Sequence, residues 1–407
     1  MNQKTKPFWK YPWGYKEGFL IAFTLLVLGF ILEFFTKGQT IIVPSWPVNI
    51  YIIIGLIGVI FIVQLYSKSN FVKWLSSVPA AITSISVFTL LIFLMGFIPQ
   101  NDELVNPWMK SVGLSHLTLS WAYVLTASYL LIILGFTIVK RIMPFSIKNT
   151  AFFLNHAGLF IVLAAASLGS SDMWKANMRL VQDRAIFAAN DYKGNTYNNI
   201  GFALKLIDFE IEEYTPQIGV YLKSSGNFNV EKGGKLLEAT KGNTLQFDDW
   251  NLLVKDYYSD AVPDTAGNFI FSKTEGATTA AYIIANNTRT NQSKEGWVAS
   301  GTYIYRNKTL DLDGALAIGM TVPSSKVFRS KIRAYKPKSV TEYTDINLEV
   351  NKPVEINGYT VYQTGYDETK GKYSQISIIE LVYDPWLPAV YVGLFMMIAG
   401  SLYLAWM

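Results

Sequence analysis

Six stretches of the chain are long and apolar enough to cross a bilayer as helices: about 18–36, 48–66, 78–98, 119–139, 150–169 and 388–406. Each supplies about the 20 apolar residues that the hydrocarbon core demands at 1.5 Å rise. Between the fifth and sixth the pattern changes. From Ser171 to Trp386 the chain is polar and rich in Thr, Tyr, Asn and Gly, and its short apolar runs alternate at period two. Examples are Phe202-Ala-Leu-Lys-Leu-Ile-Asp-Phe-Glu-Ile211 and Gly358-Tyr-Thr-Val-Tyr-Gln-Thr364, the second opened by a tight-turn Asn357-Gly358 pair. The pattern predicts a multi-span α-helical membrane protein with six transmembrane helices. A large, mostly β domain, sandwich- or barrel-like, lies between helices five and six. The predicted divisions are 1–170 with five spans, 171–387 for the β domain and 388–407 for the closing span. Asn286 to Gly296 predicts an exposed loop. No internal repeat marks a solenoid, propeller or duplicated transporter half.

Charge orients this plan. Of the 407 residues only 16% are charged, against roughly 25% in a soluble domain. Residues 1–170 hold eleven Lys/Arg and four Asp/Glu, leaving 24 and 26 for the remainder, so the net +5 belongs to the membrane half. No basic patch exists for nucleic acid. With the N-terminus inside, Lys4, Lys6, Lys10, Lys16, Lys68, Lys73, Lys140, Arg141 and Lys148 fall inside, and only Lys37 and Lys110 fall in outside loops. The positive-inside rule then puts the β domain outside and both termini in the cytoplasm. Trp46, Trp108, Trp121 and Trp386 fall near the outer interface. The first span reads as a retained anchor, since no small-residue cleavage pattern follows it.

The chain has no cysteine, which excludes disulfides, thiol catalysis, Cys-ligated metals and covalent haem attachment to this chain. It carries no Gly-rich phosphate loop, GxSxG elbow or HExxH. Glu33 is the only carboxylate within a span, and its place near the helix end predicts that it reaches for water. Few buried charges and no repeat weigh against an ion-coupled transporter.

The two histidines are the remaining candidates for chemistry. His156, in Phe152-Phe-Leu-Asn-His-Ala-Gly-Leu-Phe160, falls roughly 9 Å inside the cytoplasmic edge if its helix starts near Thr150. Its helical neighbours are apolar, and Gly158 with Ala164-Ala-Ala166 allows another helix close. It reads either as an axial ligand to haem iron or as an interhelical hydrogen bond, with Asn155 as partner or packing residue. His116, at the mouth of the fourth span, reads as an outward ligand or proton site, or as an ordinary interfacial residue.

Two runs carry a resemblance. Phe153-Leu-Asn-His156-Ala-Gly-Leu with Leu168-Gly-Ser-Ser-Asp-Met173 resembles the histidine-bearing span of the ResB (CcsB) family of system II cytochrome c biogenesis and its exit into the periplasmic domain. Val350-Asn-Lys-Pro-Val-Glu-Ile-Asn-Gly-Tyr-Thr-Val-Tyr-Gln-Thr-Gly-Tyr-Asp367 and Asp384-Pro-Trp-Leu-Pro-Ala-Val-Tyr-Val-Gly-Leu394 are similar to the family's C-terminal motifs. The resemblance covers roughly residues 150–407. It implies a bacterial inner-membrane subunit, with its large domain in the periplasm, that helps move haem across the membrane for attachment to CxxCH of apocytochrome c. It also implies a CcsA-type membrane partner and a thiol-reducing thioredoxin-like protein of the same pathway. Haem would be held transiently, shared with the partner, with His156 as the iron ligand; His116 is a second candidate for binding haem, read from the residues and not from the resemblance. Arg141, Lys140 and Lys148 would attract haem propionates or serve topology alone. The chain departs from the family in having five spans before the domain rather than three, and it lacks the Trp-rich motif of the partner, so any synthase is complete only with a second chain. The alternative is a membrane-anchored sensor or scaffold whose β domain binds a ligand or partner.

Overall fold

A computed structural model describes residues 9–144, 146–192, 194–224, 236–336, 339 and 341–406; Lys4 and Lys6 of the cationic set lie outside them. The chain divides into a helical unit, Met1–Trp174 with Asp384–Met407, and a β unit, Lys175–Tyr383.

The helical unit contains α1 (Tyr15–Phe35), α2 (Val48–Tyr66), short α3 (Asn70–Leu75), α4 (Val78–Phe97), short α5 (Pro107–Ser111), α6 (Trp121–Ile142), α7 (Thr150–Leu168) and α8 (Leu387–Trp406). Six of these are long and apolar enough to cross a membrane, as the hydropathy pattern predicts. At 1.5 Å per residue each spans about 30 Å. Local chemistry sets their ends. Ser77 caps α4 ahead of Pro79, Asn106 caps α5, Ser120 caps α6, and Glu17 accepts from the Gly14 amide at 2.8 Å to open α1. The six-residue α3 is too short to span, and α5 falls within the fourth candidate, Pro107–Ile142.

Helix α6 is the centre of the unit. Ala122, Ala127, Leu130, Leu131, Ile133, Leu134 and Phe136 are all buried, and α6 packs against α1, α2, α4 and α7. By contrast α2 buries only Asn49 and Ile60, and α8 only Gly393 and Gly400, leaving both largely apolar to the surroundings. The tightest helix pair is α7 with α8. A Cβ at Gly158 would lie 2.5 Å from the Gly393 carbonyl oxygen, and one at Gly393 would lie 2.7 Å from the Gly158 oxygen. Only glycine at both positions lets these backbones meet, the packing mode that substitutes for the hydrophobic effect in lipid.

The β unit is two sandwich lobes. In the first, a six-stranded sheet runs in the order Val354–Ile356, Tyr359–Tyr366, Ile376–Tyr383, Trp174–Val181, Ala189–Asp191, Thr196–Tyr197. It faces a four-stranded sheet ordered Tyr343–Glu349, Ser325–Tyr335, Ala203–Glu213, Ala185–Ile186. Leu180, Val361, Ile379 and Leu381 of the one and Leu204, Leu206, Ile332 and Leu348 of the other are fully buried. The polar chain Gln363 to Ser330 to Ser377 crosses between them at 2.9 and 2.8 Å. In the second lobe, Trp250–Pro263 and Thr278–Asn287 anchor a five-stranded sheet and Gln217–Leu222 with Leu316–Met320 a four-stranded one. Their shared core includes Ile218, Trp250, Leu252, Ile283, Val298 and Ile318.

The predicted strands at 202–211 and 358–364 form, as Ala203–Glu213 and Tyr359–Tyr366, and Asn357-Gly358 closes the hairpin that pairs Ile356 with Tyr359. The predicted loop at Asn286 to Gly296 is corrected. Thr278–Asn287 pairs with Ser293–Ala299, and only the five residues between them turn. The polar side chains that suggested a loop belong to the exposed face of this hairpin, where cross-strand backbone bonds decide the structure.

Gly158→Leu forces atoms into the α7–α8 contact and is expected to destabilise the protein by about 1–3 kcal/mol, whereas Leu402→Ala on the exposed side of α8 is expected to be neutral. Thermal loss of the monodisperse peak in detergent, followed by fluorescence-detected size exclusion, separates the two.

Candidate functional site

His156 lies on α7, and its Nδ1 is 2.9 Å from the carbonyl oxygen of Phe152. A carbonyl only accepts, so Nδ1 carries the hydrogen and the lone pair of the neutral ring resides on Nε2. Among the described residues nothing hydrogen-bonds to Nε2. The imidazole stacks on the Phe152 ring at 3.8 Å and 20°, and the guanidinium carbon of Arg141 sits 5.7 Å from that same ring. Leu159 and Leu163 continue the stripe and pack against Leu131 and Leu134 of α6. An imidazole oriented by its own helix, with its basic nitrogen unengaged on an apolar face, has the donor arrangement of a metal-ligating histidine. His156 could therefore offer a single nitrogen ligand to a metal such as haem iron.

Asn155 does not partner His156. Its Nδ2 donates to Ala151 O at 3.0 Å and its Oδ1 accepts from Ser401 at 2.9 Å, so it serves the α7–α8 contact. Lys140 donates to Ser76 O at 3.2 Å, and Lys148 is exposed. Arg141 has no carboxylate partner among the described residues. An apolar cleft of about 230 Å³ lined by Ile57, Ile60, Gly135, Ile138, Ala157 and Phe160 opens between α2, α6 and α7, on the neighbouring face of α7.

His116 is placed differently. It sits at the kink of a short 3₁₀ segment, Leu114–Leu119, ahead of α6, with its own backbone non-helical at φ −146° and ψ 48°. Its Nδ1 faces Asp102 Oδ1 at 3.2 Å and its Nε2 faces Glu33 Oε1 at 3.5 Å. Both ring nitrogens thus look at carboxylates, and only the cationic ring has a hydrogen for each. In this arrangement His116 presents no unengaged nitrogen to a metal. The Ser115 hydroxyl, donating at 2.5 Å, is the chief cause holding the Asp102 carboxyl down to about 2, with His116 and Lys110 adding to it against the effect of burial.

Glu33 corrects the expectation that it reaches water, for its side chain is 0% exposed. Its Oε2 accepts the Trp121 amide at 2.9 Å, one of the orphan donors at the start of α6, where the helix dipole favours a negative charge. The covering backbone is Gly113, at φ +71°, where a Cβ would lie 2.5 Å from Glu33 Cγ. Glycine there lets the loop close over the carboxylate.

Sequence reasoning missed a third cluster, built on Asp172. Its Oδ1 accepts from the Trp46 amide at 2.8 Å, and its Oδ2 accepts from Asn49 Nδ2 at 2.8 Å and from Trp386 Nε1 at 2.7 Å. Asn49 also donates to Leu168 O at 3.0 Å, satisfying a carbonyl at the end of α7. One carboxylate therefore joins the end of α7, the start of α8 and the start of α2. Burial alone would raise its pKa, but these three donors hold it below the ordinary carboxylate range. The signal was present as the two quoted runs containing Asp172 and Trp386, but nothing in either run says that they touch.

A model of the ResB-like family matches residues 305–378. Over that stretch the chain is similar to the ResB-like family. No curated protein matches it. The match lies wholly within the β unit and includes the Val350 to Asp367 run; it does not reach His116, His156, Asp172 or Trp386.

Replacing Asp172 by Ala strands three donors and is expected to cost about 1–3 kcal/mol, read as a lower unfolding temperature. Because the folded carboxyl is depressed, its stabilising contribution is present above the ordinary carboxylate pKa and is lost as pH falls through the depressed value. Asp172→Asn is expected to flatten that acid limb of the stability profile.

Proposed function

We propose that this ResB-like membrane protein is the haem-handling subunit of system II cytochrome c maturation. In this reading haem is cargo, passed along α7 on His156 and presented outside the membrane for attachment to CxxCH of an apocytochrome c. The observation that carries the reading is the unengaged Nε2 of His156, fixed by the Nδ1 bond to Phe152 and set among apolar side chains. A porphyrin is a large apolar disc with two carboxylates, so a helix face offering an imidazole and phenylalanine suits its body.

Within the same reading, the excess of cations over acids in the predicted inside segments puts those segments in the cytoplasm and the β unit in the periplasm. Arg141 is then the inner-mouth cation suited to a propionate, because Lys140 is already engaged with Ser76 and Arg141 stands over the ring on which His156 stacks. The chain lacks any residue set for the thioether chemistry, so a CcsA-type chain supplies the second axial ligand and the synthase site. A thioredoxin-like protein keeps the apocytochrome thiols reduced.

The test is the haem absorption spectrum of the purified chain, alone and with its co-expressed partner, at matched protein. His156→Ala is expected to lose or shift the haem bands, with added imidazole restoring them. Arg141→Gln is expected to lower the haem retained several-fold while leaving band positions unchanged. If His156→Ala and wild type are indistinguishable, or neither holds haem, the chain is a scaffold for a partner that handles haem itself.

A further inference from the structure

The second lobe of the β unit is an insertion. It begins after Glu213 and ends before Ser325, and it is reached by two linkers, residues 214–216 and 321–324. The linkers run side by side. Tyr214 N donates to Ser324 O at 2.9 Å, Gln217 N to Thr321 Oγ1 at 2.8 Å, and Thr321 N to Gln217 O at 2.8 Å. Among the described strands, none of one lobe pairs with a strand of the other, and the core of the inserted lobe is built from its own residues.

Apart from the linkers, the polar ties seen between lobes among the described residues come from one loop, 367–375 of the first lobe. Lys372 Nζ lies 2.7 Å from Asp260 Oδ1, donates to Ser259 O at 3.0 Å and is 3.8 Å from Glu213 Oε2 beside the linker. Tyr373 OH donates to Asp260 at 3.0 Å, and Lys370 is 3.5 Å from Glu275. Ser259, Asp260 and Glu275 belong to the inserted lobe. Between the lobes lies a cleft of about 160 Å³ lined from both sides, by Glu213, Tyr366 and Tyr373 on one and Thr279, Ser300 and Tyr303 on the other.

We infer that the β unit is a hinged clamp, in which the inserted lobe swings on the paired linkers and the Lys372–Asp260–Tyr373 clasp holds the cleft shut. Two adjacent crossings absorb a rotation with few backbone changes, as hinge closures do. Lobes joined by polar contacts rather than a shared apolar core move relative to one another by default. A part-exposed ion pair backed by two hydrogen bonds is strong enough to bias the closed form and weak enough to release.

The chain has no cysteine, so introduced thiols are its only label sites. Spin labels at Thr344→Cys in the first lobe and Lys294→Cys in the inserted lobe, with the full chain in nanodiscs, report the interlobe distance by pulsed dipolar spectroscopy. Labels at Lys294→Cys and Asp311→Cys, both in the inserted lobe, report its internal fold. Wild type is expected to give a single narrow interlobe distribution. Lys372→Ala and Asp260→Asn are each expected to add a displaced population, raising the open-to-closed ratio about fivefold, and the double variant is expected to match either single. The intralobe distance stays narrow throughout. An interlobe distribution unchanged in both variants overturns the clamp, and so does broadening of the intralobe pair, which would make the clasp part of the lobe's own fold.

Discussion

Hydrocarbon offers no partner to a hydrogen-bonding group, so a polar side chain on these helices gains most by bonding another part of the chain. Asp172 shows what this constraint does. Its two oxygens take donors from Trp46, Asn49 and Trp386, and through them the end of α7, the start of α8 and the start of α2 are held together. Glu33 does the same at the Phe35 end of α1, where it meets the start of α6 and His116. Asn155 and Ser401 do it between the first half of α7 and the second half of α8. The apolar surfaces supply bulk packing, and these few polar bonds set which helix lies beside which.

The same constraint gives the two histidines opposite characters. His116 has a carboxylate at each nitrogen and belongs to a closed network. His156 uses one nitrogen to bond its own helix and leaves the other unengaged, beside the glycine contact that brings α8 against α7. Among the described residues only the second leaves a ring nitrogen without a hydrogen-bond partner. The α2 helix is tied to the turn after α7 through the bond from Asn49 to Asp172.

The β unit obeys a different rule. Water satisfies its edges and loops, so its lobes need no continuous polar wiring, and each forms its own sandwich core. The insertion of one lobe into the other leaves, among the described residues, two short crossings and a charged loop as their polar bonds, and this gives the unit a polar seam.

Much of this was legible in the sequence. The six spans follow from the length of apolar runs, because helix rise and bilayer thickness are fixed quantities. The β character follows from period-two alternation, and the hairpin at Ile356 and Tyr359 from Asn357-Gly358. His156 was identifiable as a candidate by scarcity, though not the state of its nitrogens, which depends on where the Phe152 carbonyl points. The burial of Glu33, the joining of Asp172 to Trp386, the 286–296 hairpin and the split of the β region into two lobes were decided only by tertiary structure. Each depends on contact between segments remote in sequence or on backbone pairing that local composition does not encode. Local periodicity reports how a segment meets its solvent, whereas a hydrogen bond across 214 residues exists only once the packing of the helices has brought its two ends together.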